Sequence, residues 1–151
     1  LITGEKSSVR EYALGGIYGN WVQINDGKHK YARGPVGDNF PLSMFSNRWS
    51  TMPVPSYPGL RLPVPDQRAR LDTMPGSSIP VLRQHFEPGD LLPFWTANMP
   101  IDEHYLFDLE DDPTEDNNLV GTRREEAMLD ALRTALGEID APTEQLTRLG
   151  L

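Results

Sequence analysis

An α+β fold is what this sequence predicts: about four antiparallel strands, a C-terminal helix packed across one face, and a long Pro-rich insertion. Three observations carry that expectation. Asn25-Asp26-Gly27 stands between two short runs of alternating character, and Asp-Gly tolerates the positive φ of a tight hairpin turn. Tyr105–Leu109 is an apolar strand that runs into a dense acidic turn around Pro113. Met128, Leu129, Leu132, Ala135, Leu136 and Ile139 then repeat at helical spacing, so one stripe of a helix is apolar. Strands followed by a helix at the end give a sheet with a helix across it.

In chain order, residues 1–10 read as a linker or entry segment. Arg10–Gly19 reads as a strand with a kink at Gly15-Gly16. Trp21–Ile24 and Lys28–Arg33 form the hairpin, with Val22 and Ile24 on one face and His29, Tyr31 and Arg33 on one face of the return strand. From 34 to 100 lie most of the 14 prolines, which exclude long helices and central strands. Anchors such as Phe40, Phe45, Trp49, Tyr57, Phe86 and Trp95 nonetheless predict an ordered insertion that leans on a surface or a neighbour. Within it, Asp66–Leu71 could be a capped helical turn, and Ile79–Phe86 and Leu91–Thr96 short strands. After Tyr105–Leu109, Thr122-Arg123-Arg124-Glu125 has the form of a capping box, and the helices occupy 122–149. Gly137 is an end signal for the first helix, and Asp140-Ala141-Pro142 starts a second that runs to about Arg148.

The 151 residues suggest one domain. A net charge of −8 with scattered Lys and Arg argues against nucleic acid as a partner. No run of about 18 apolar residues is present to span a membrane. With no cysteine, disulfides, zinc–thiolate sites and cysteine nucleophiles are excluded, and the compartment stays open.

The chemical motifs are weak. Asp108, Glu110 and Asp112 alternate like calcium-loop ligands, but Pro113 and Leu119 stand where that loop needs Gly and Glu. A solvated turn that caps the strand end is the better reading. His29, His85 and His104 are isolated and lack a second ligand at metal spacing. Gly15-Gly16-Ile17-Tyr18-Gly19 lacks the first glycine of a dinucleotide loop and precedes a strand instead of a helix. No G-x-S-x-G nucleophile elbow occurs.

Both ends of the chain nonetheless carry a resemblance. YLFDLEDDPTEDNNLV resembles the "LYDLxxDPxExxNL" strand-turn that leads into the last helix of the sulfatase family. The hairpin Asn25-Asp26-Gly27 with Lys28-His29-Lys30-Tyr31 is similar to that family's "dG-x-x-KY" hairpin. IDAPTEQLTRLGL and TGEKSSVREYALGGIYG resemble the end and the opening of the same subdomain in a bacterial branch, while about 40 to 100 matches only loosely.

The resemblance implies a C-terminal subdomain of an arylsulfatase-like, alkaline-phosphatase-superfamily protein: a four-stranded antiparallel sheet with a helix packed across it. It implies chemistry located elsewhere, in a preceding catalytic domain. There a formylglycine made from a C/S-x-P-x-R motif and a divalent metal, expected to be calcium, would do the work. Two near misses, Ser56-Tyr57-Pro58-Gly59-Leu60 and Ser78-Ile79-Pro80-Val81-Leu82, have Leu in place of the motif's Arg. No catalytic or metal-binding residue is therefore expected in this chain. Its expected partner is the catalytic domain, with self-association when that domain is absent, in a bacterial protein of the cytoplasm or periplasm. Tyr18, Asn20 and Trp21 are the candidates for the substrate rim, against ordinary strand packing. The alternatives are a phosphate or phosphonate ester hydrolase of the same superfamily, and a freestanding ligand-binding or interaction module.

Overall fold

The computed structural model describes residues 10–47, 49, 63–74, 76–97, 100–101 and 103–151. The expectations that fall on 1–9 and on Ser56–Leu60 lie outside the described residues.

Among the described residues, seven strands form two antiparallel sheets. β1 (Ala13–Gly16), β2 (Val22–Asn25), β3 (His29–Arg33) and β7 (Tyr105–Asp108) form the first, in that order; β4 (Leu42–Ser46), β6 (Pro80–Phe86) and β5 (Arg70–Thr73) form the second. Helices α1 (Arg123–Glu138) and α2 (Thr143–Leu149) end the chain. The fold is α+β, with four antiparallel strands and a C-terminal helix against them.

The hairpin forms because its turn satisfies itself. Asp26 Oδ1 accepts the amides of Lys28 (2.9 Å) and His29 (2.6 Å), and Gly27 takes φ +94°. The register then aligns Leu14, Ile24, Tyr31 and Leu106 in one row across all four strands. Ile24, Tyr31 and Leu106 are fully buried, and they pack with Met128, Leu132, Ala135, Leu136 and Leu149 from the helices. The two-residue period of the strands and the 3.6-residue period of α1 thus meet in one core, and its apolar burial is the main stabilising term. Ile139, the last residue of the predicted stripe, instead stands 60% exposed beyond the end of α1.

The acidic turn closes the outer edge of β7. Asn118 Oδ1 accepts the Leu106 amide at 2.9 Å, and Leu119 N–H donates to the Leu106 carbonyl at 2.8 Å. Two residues therefore stand in for a missing strand on an otherwise open edge. Asp112 holds the loop in shape by accepting the amides of Asp116 (3.1 Å) and Asn117 (2.8 Å). Asp108, 3% exposed, accepts the amides of Glu110 and Asp111 and the Arg124 guanidinium at 2.6 Å. The turn serves as a strand-end cap, built from carboxylates because each can accept several amides.

Six local expectations need correction, the first being that prolines keep central strands out of 34–100: β6 is the central strand of the second sheet, with Pro80 at its first residue, where no ladder amide is needed. The capping box does not form: Thr122 Oγ1 donates to the Leu119 carbonyl, and Glu125 Oε2 accepts from the Gly121 amide. Glu125 Oε1 is taken by the buried Tyr31 hydroxyl at 2.9 Å, a tertiary contact that competes with the local one. α1 runs through Gly137 to Glu138. Asp66–Leu71 makes one turn, capped where Asp66 Oδ1 accepts the Arg68 amide, and the chain then extends into β5 because β6 offers a partner edge. Leu91–Thr96 is no strand. Residues Phe94–Ala97 form a 3-10 turn, in which the Pro93 carbonyl accepts both the Thr96 amide and its hydroxyl. The predicted Arg10–Gly19 strand is confined to Ala13–Gly16. At Gly16 a Cβ would lie 2.5 Å from the Trp21 carbonyl oxygen, so only glycine lets the β1–β2 connection fold back so closely.

Candidate functional site

A cleft opens where the free edge of β1 faces β4 and the start of α2. Its volume is about 440 Å³, within the ordinary range for small-molecule sites. Gly15, Gly16 and Tyr18 line one side, Leu42 and Phe45 the other, and Ile139 and Pro142 the mouth of the helix end. Most of this wall is apolar, and the polar side chains along it are few: Tyr18, Ser43, Asp140, Glu144 and Gln145.

The loop that carries the predicted rim residues is held from three sides. Ile17 and Trp21 pair through their backbones at 3.0 Å, which makes a tight reversal. Gly19 lies in the left-handed region, with a Cβ position only 2.7 Å from the Thr96 methyl group, so the 3-10 turn packs directly onto it. The Gly19 carbonyl accepts from Asn39 Nδ2 at 2.7 Å, and Asn39 itself holds φ 68°. Arg148 completes the clamp: its Nη1 donates to the Asn20 carbonyl (2.6 Å) and to Asn39 Oδ1 (2.7 Å). Its Nη2 reaches Gln145 Oε1 at 2.9 Å.

Arg148 is 1% exposed, and no carboxylate pairs with it among the described residues. Burial pulls its guanidinium down to about 10. A charge held this deep on neutral acceptors acts as a fixed bolt between α2 and the β1–β2 loop.

The three predicted rim residues separate. Tyr18 and Trp21 line the cleft. Asn20 does not: it is 3% exposed, its carbonyl serves Arg148, and its Nδ2 points to the Thr96 carbonyl at 3.4 Å. Tyr18 is 39% exposed overall, yet its phenol is desolvated and near Glu144, and both raise it well above the usual tyrosine range.

At the base of the cleft is a polar cluster that the sequence reading did not single out. Glu144 Oε2 accepts from Arg83 Nη2 (2.9 Å) and from the Ser43 hydroxyl (3.0 Å). Arg83 also donates to Asp72 (3.1 Å) and lies over the Phe45 ring. Ser43 Oγ lies 3.2 Å from His85 Nδ1. These three residue types are those of a hydrolytic triad, but the connections differ. Glu144 accepts from the Ser43 hydroxyl, where a triad acid would accept from the imidazole. The cluster ties sheet to helix. A weak signal was present in the sequence, since Glu144 and Arg148 stand four apart at helix-pair spacing. The fold sends them to different partners, which only tertiary structure reveals.

The Ser78–Leu82 near miss begins on an exposed turn and continues into β6, so Val81 and Leu82 pair with Asp72 and Leu71. Among the described residues no group of three His, Asp or Glu side chains could hold a metal ion, and no helix is long and apolar enough to cross a membrane. No protein-family profile, curated protein or solved structure matches this chain.

Proposed function

We propose that this chain is the C-terminal subdomain of a sulfatase, a sulfuric ester hydrolase, that packs on its catalytic domain and shapes the substrate entrance. The observation that supports this reading is the arrangement of β1, β2, β3 and β7 under α1. It is the sheet-and-helix architecture that the resemblance of both chain ends implies. The resembling segments also have structural work there: Asp26 makes the hairpin, and Asn118 with Leu119 seals β7.

Exposed apolar groups supply the surface for a covering partner. Tyr18, Met74 and Ile139 stand exposed around the cleft, and Leu71 and Ile79 stand on the edge side of the second sheet. A partner packed over them would remove these apolar groups from water. In this reading the formylglycine and a calcium ion belong to the catalytic domain, and the isolated chain self-associates through the bare surface.

The test is hydrolysis of an aryl sulfate in the presence of calcium. The full product of the parent gene should turn it over, and this chain alone should not. Turnover by the isolated chain, or none by the full product in its aldehyde-bearing form, would overturn the reading.

A further inference from the structure

We propose that the cleft between β1, β4 and α2 is a binding site for a neutral, flat, largely apolar small molecule that carries one hydrogen-bond donor. The inference stands on the cleft alone and does not depend on the sulfatase reading.

Size and shape come first. About 440 Å³ accommodates a two-ring molecule and is too small for a folded segment. Beside Leu14, Gly15 and Gly16 leave part of the β1 wall without side chains, which gives a flat strip on which a planar molecule can lie. Trp21 and Phe45 contribute aromatic surface. The walls are also held in place: Arg148 fixes the β1–β2 loop, and Arg83 with Glu144 fixes β6 to α2. A pre-formed site loses little ordering entropy on binding.

Charge then selects the ligand class. Among the described residues the acidic side chains on the lining are Asp140 and Glu144, and no Lys or Arg lines the cleft. Arg83 reaches Glu144 from outside that lining, and Arg148 is bonded to Asn20, Asn39 and Gln145. An anion entering the cleft would lose its hydration beside two carboxylates, and the nearby Arg83 guanidinium is already bonded to Glu144, Asp72 and Ser43. A neutral donor has a partner, because Glu144 Oε2 takes both Ser43 and Arg83, and Oε1 accepts no hydrogen bond among the described residues. A sulfate, phosphate or carboxylate group is thus turned away, and the uncharged portion of a molecule is admitted.

The test titrates the chain with 2-naphthalenemethanol and with 2-naphthoate, read by the indole resonances of Trp21, Trp49 and Trp95. The alcohol should saturate and shift Trp21 selectively, and the carboxylate should bind at least about tenfold more weakly. Ile139→Lys places a cation at an exposed lining position, where folding is not at stake, and should narrow that gap to about threefold or less. Glu144→Gln should narrow it as well. The proposal is overturned if the alcohol does not saturate, if the two probes bind alike, or if Trp49 or Trp95 moves in place of Trp21. It is equally overturned if neither variant changes the ratio. Sedimentation over a concentration series supplies the last arm: a dimer whose formation alone shifts Trp21 would make a second copy the occupant of the cleft.

Discussion

The two sheets are held together in different ways. The four-stranded sheet has a helix on it and a continuous apolar core, in which Ile24, Tyr31, Leu106, Leu132, Ala135 and Leu149 are each fully buried. The three-stranded sheet has buried positions such as Leu42, Val81, Gln84 and Phe86, but Leu71 on its edge strand is 76% exposed. Its hydrogen bonds to the helices run from Arg83 and Ser43 to Glu144, and Leu42 and Phe45 add an apolar wall along the cleft. One sheet is stabilised mainly by excluded water, the other by oriented hydrogen bonds and by the chain it leans on. The second sheet leaves more of its apolar surface in water than the first.

The largest expected effect comes from the first core. Leu132→Ala should lower unfolding free energy by about 2–5 kcal/mol, whereas Val81→Ala in the second sheet should cost about 1 kcal/mol. Urea titration of both variants measures the difference, and equal losses would erase the contrast. Next is Arg148→Met, which keeps the aliphatic stem and strands the acceptors on Asn20, Asn39 and Gln145. A loss of about 2–4 kcal/mol is expected, with faster hydrogen exchange in the Gly19–Trp21 loop. An unchanged loop would mean that the buried guanidinium is not its bolt.

Asn118→Ala should cost about 1–2 kcal/mol and expose the Leu106 amide to exchange, since the edge of β7 would lose its surrogate strand. Glu144→Gln should cost about 1 kcal/mol or less, because both side chains of its pair with Arg83 remain partly solvated. Its exchange effect should appear in β4 and β6 and spare β2 and β3. Faster exchange in β2 or β3 would show that the sheets are not independent.

The smallest effect is a pH dependence in two parts. Burial and the neighbouring Arg33 depress His104 below its ordinary 6.5, and its Nδ1 accepts the Gly34 amide at 3.2 Å. The folded state then binds fewer protons than the unfolded state, so stability falls as pH drops below 6.5 and levels off below the folded value. Burial pushes Asp108 up, but the amides of Asp111 and Glu110 together with Lys28 and Arg124 hold it below its ordinary 3.8, and the amides of Asn117 and Asp116 hold Asp112 below the same value. Their contribution is complete above 3.8 and is lost as pH falls through the lower folded values. Urea midpoints across pH should show both steps, and His104→Asn should remove the upper one alone.

What the sequence disclosed followed the same division. Asn25-Asp26-Gly27, Tyr105–Leu109 and the stripe from Met128 to Leu136 were legible because each carries its own period or turn chemistry. The second sheet was legible only in part. β6 could be read from Ile79–Phe86, but Leu42–Ser46 and Arg70–Thr73 have little alternation of their own and become strands because β6 offers an edge on each side. Among the residues that line the cleft, Tyr18 and Trp21 stand in an aromatic, glycine-rich loop that the sequence displays. Arg83 could not be picked, and Glu144 and Arg148 showed only their helix-pair spacing, since charged residues on short elements look solvated until their partners from distant segments are placed.

The most direct measurement is the coding sequence upstream of the codon for Leu1 in the parent gene. A covering subdomain predicts an open reading frame that continues into a domain bearing a C/S-x-P-x-R motif and acidic metal ligands. A stop codon in frame with an initiator codon just ahead of Leu1, and no such domain, would contradict it.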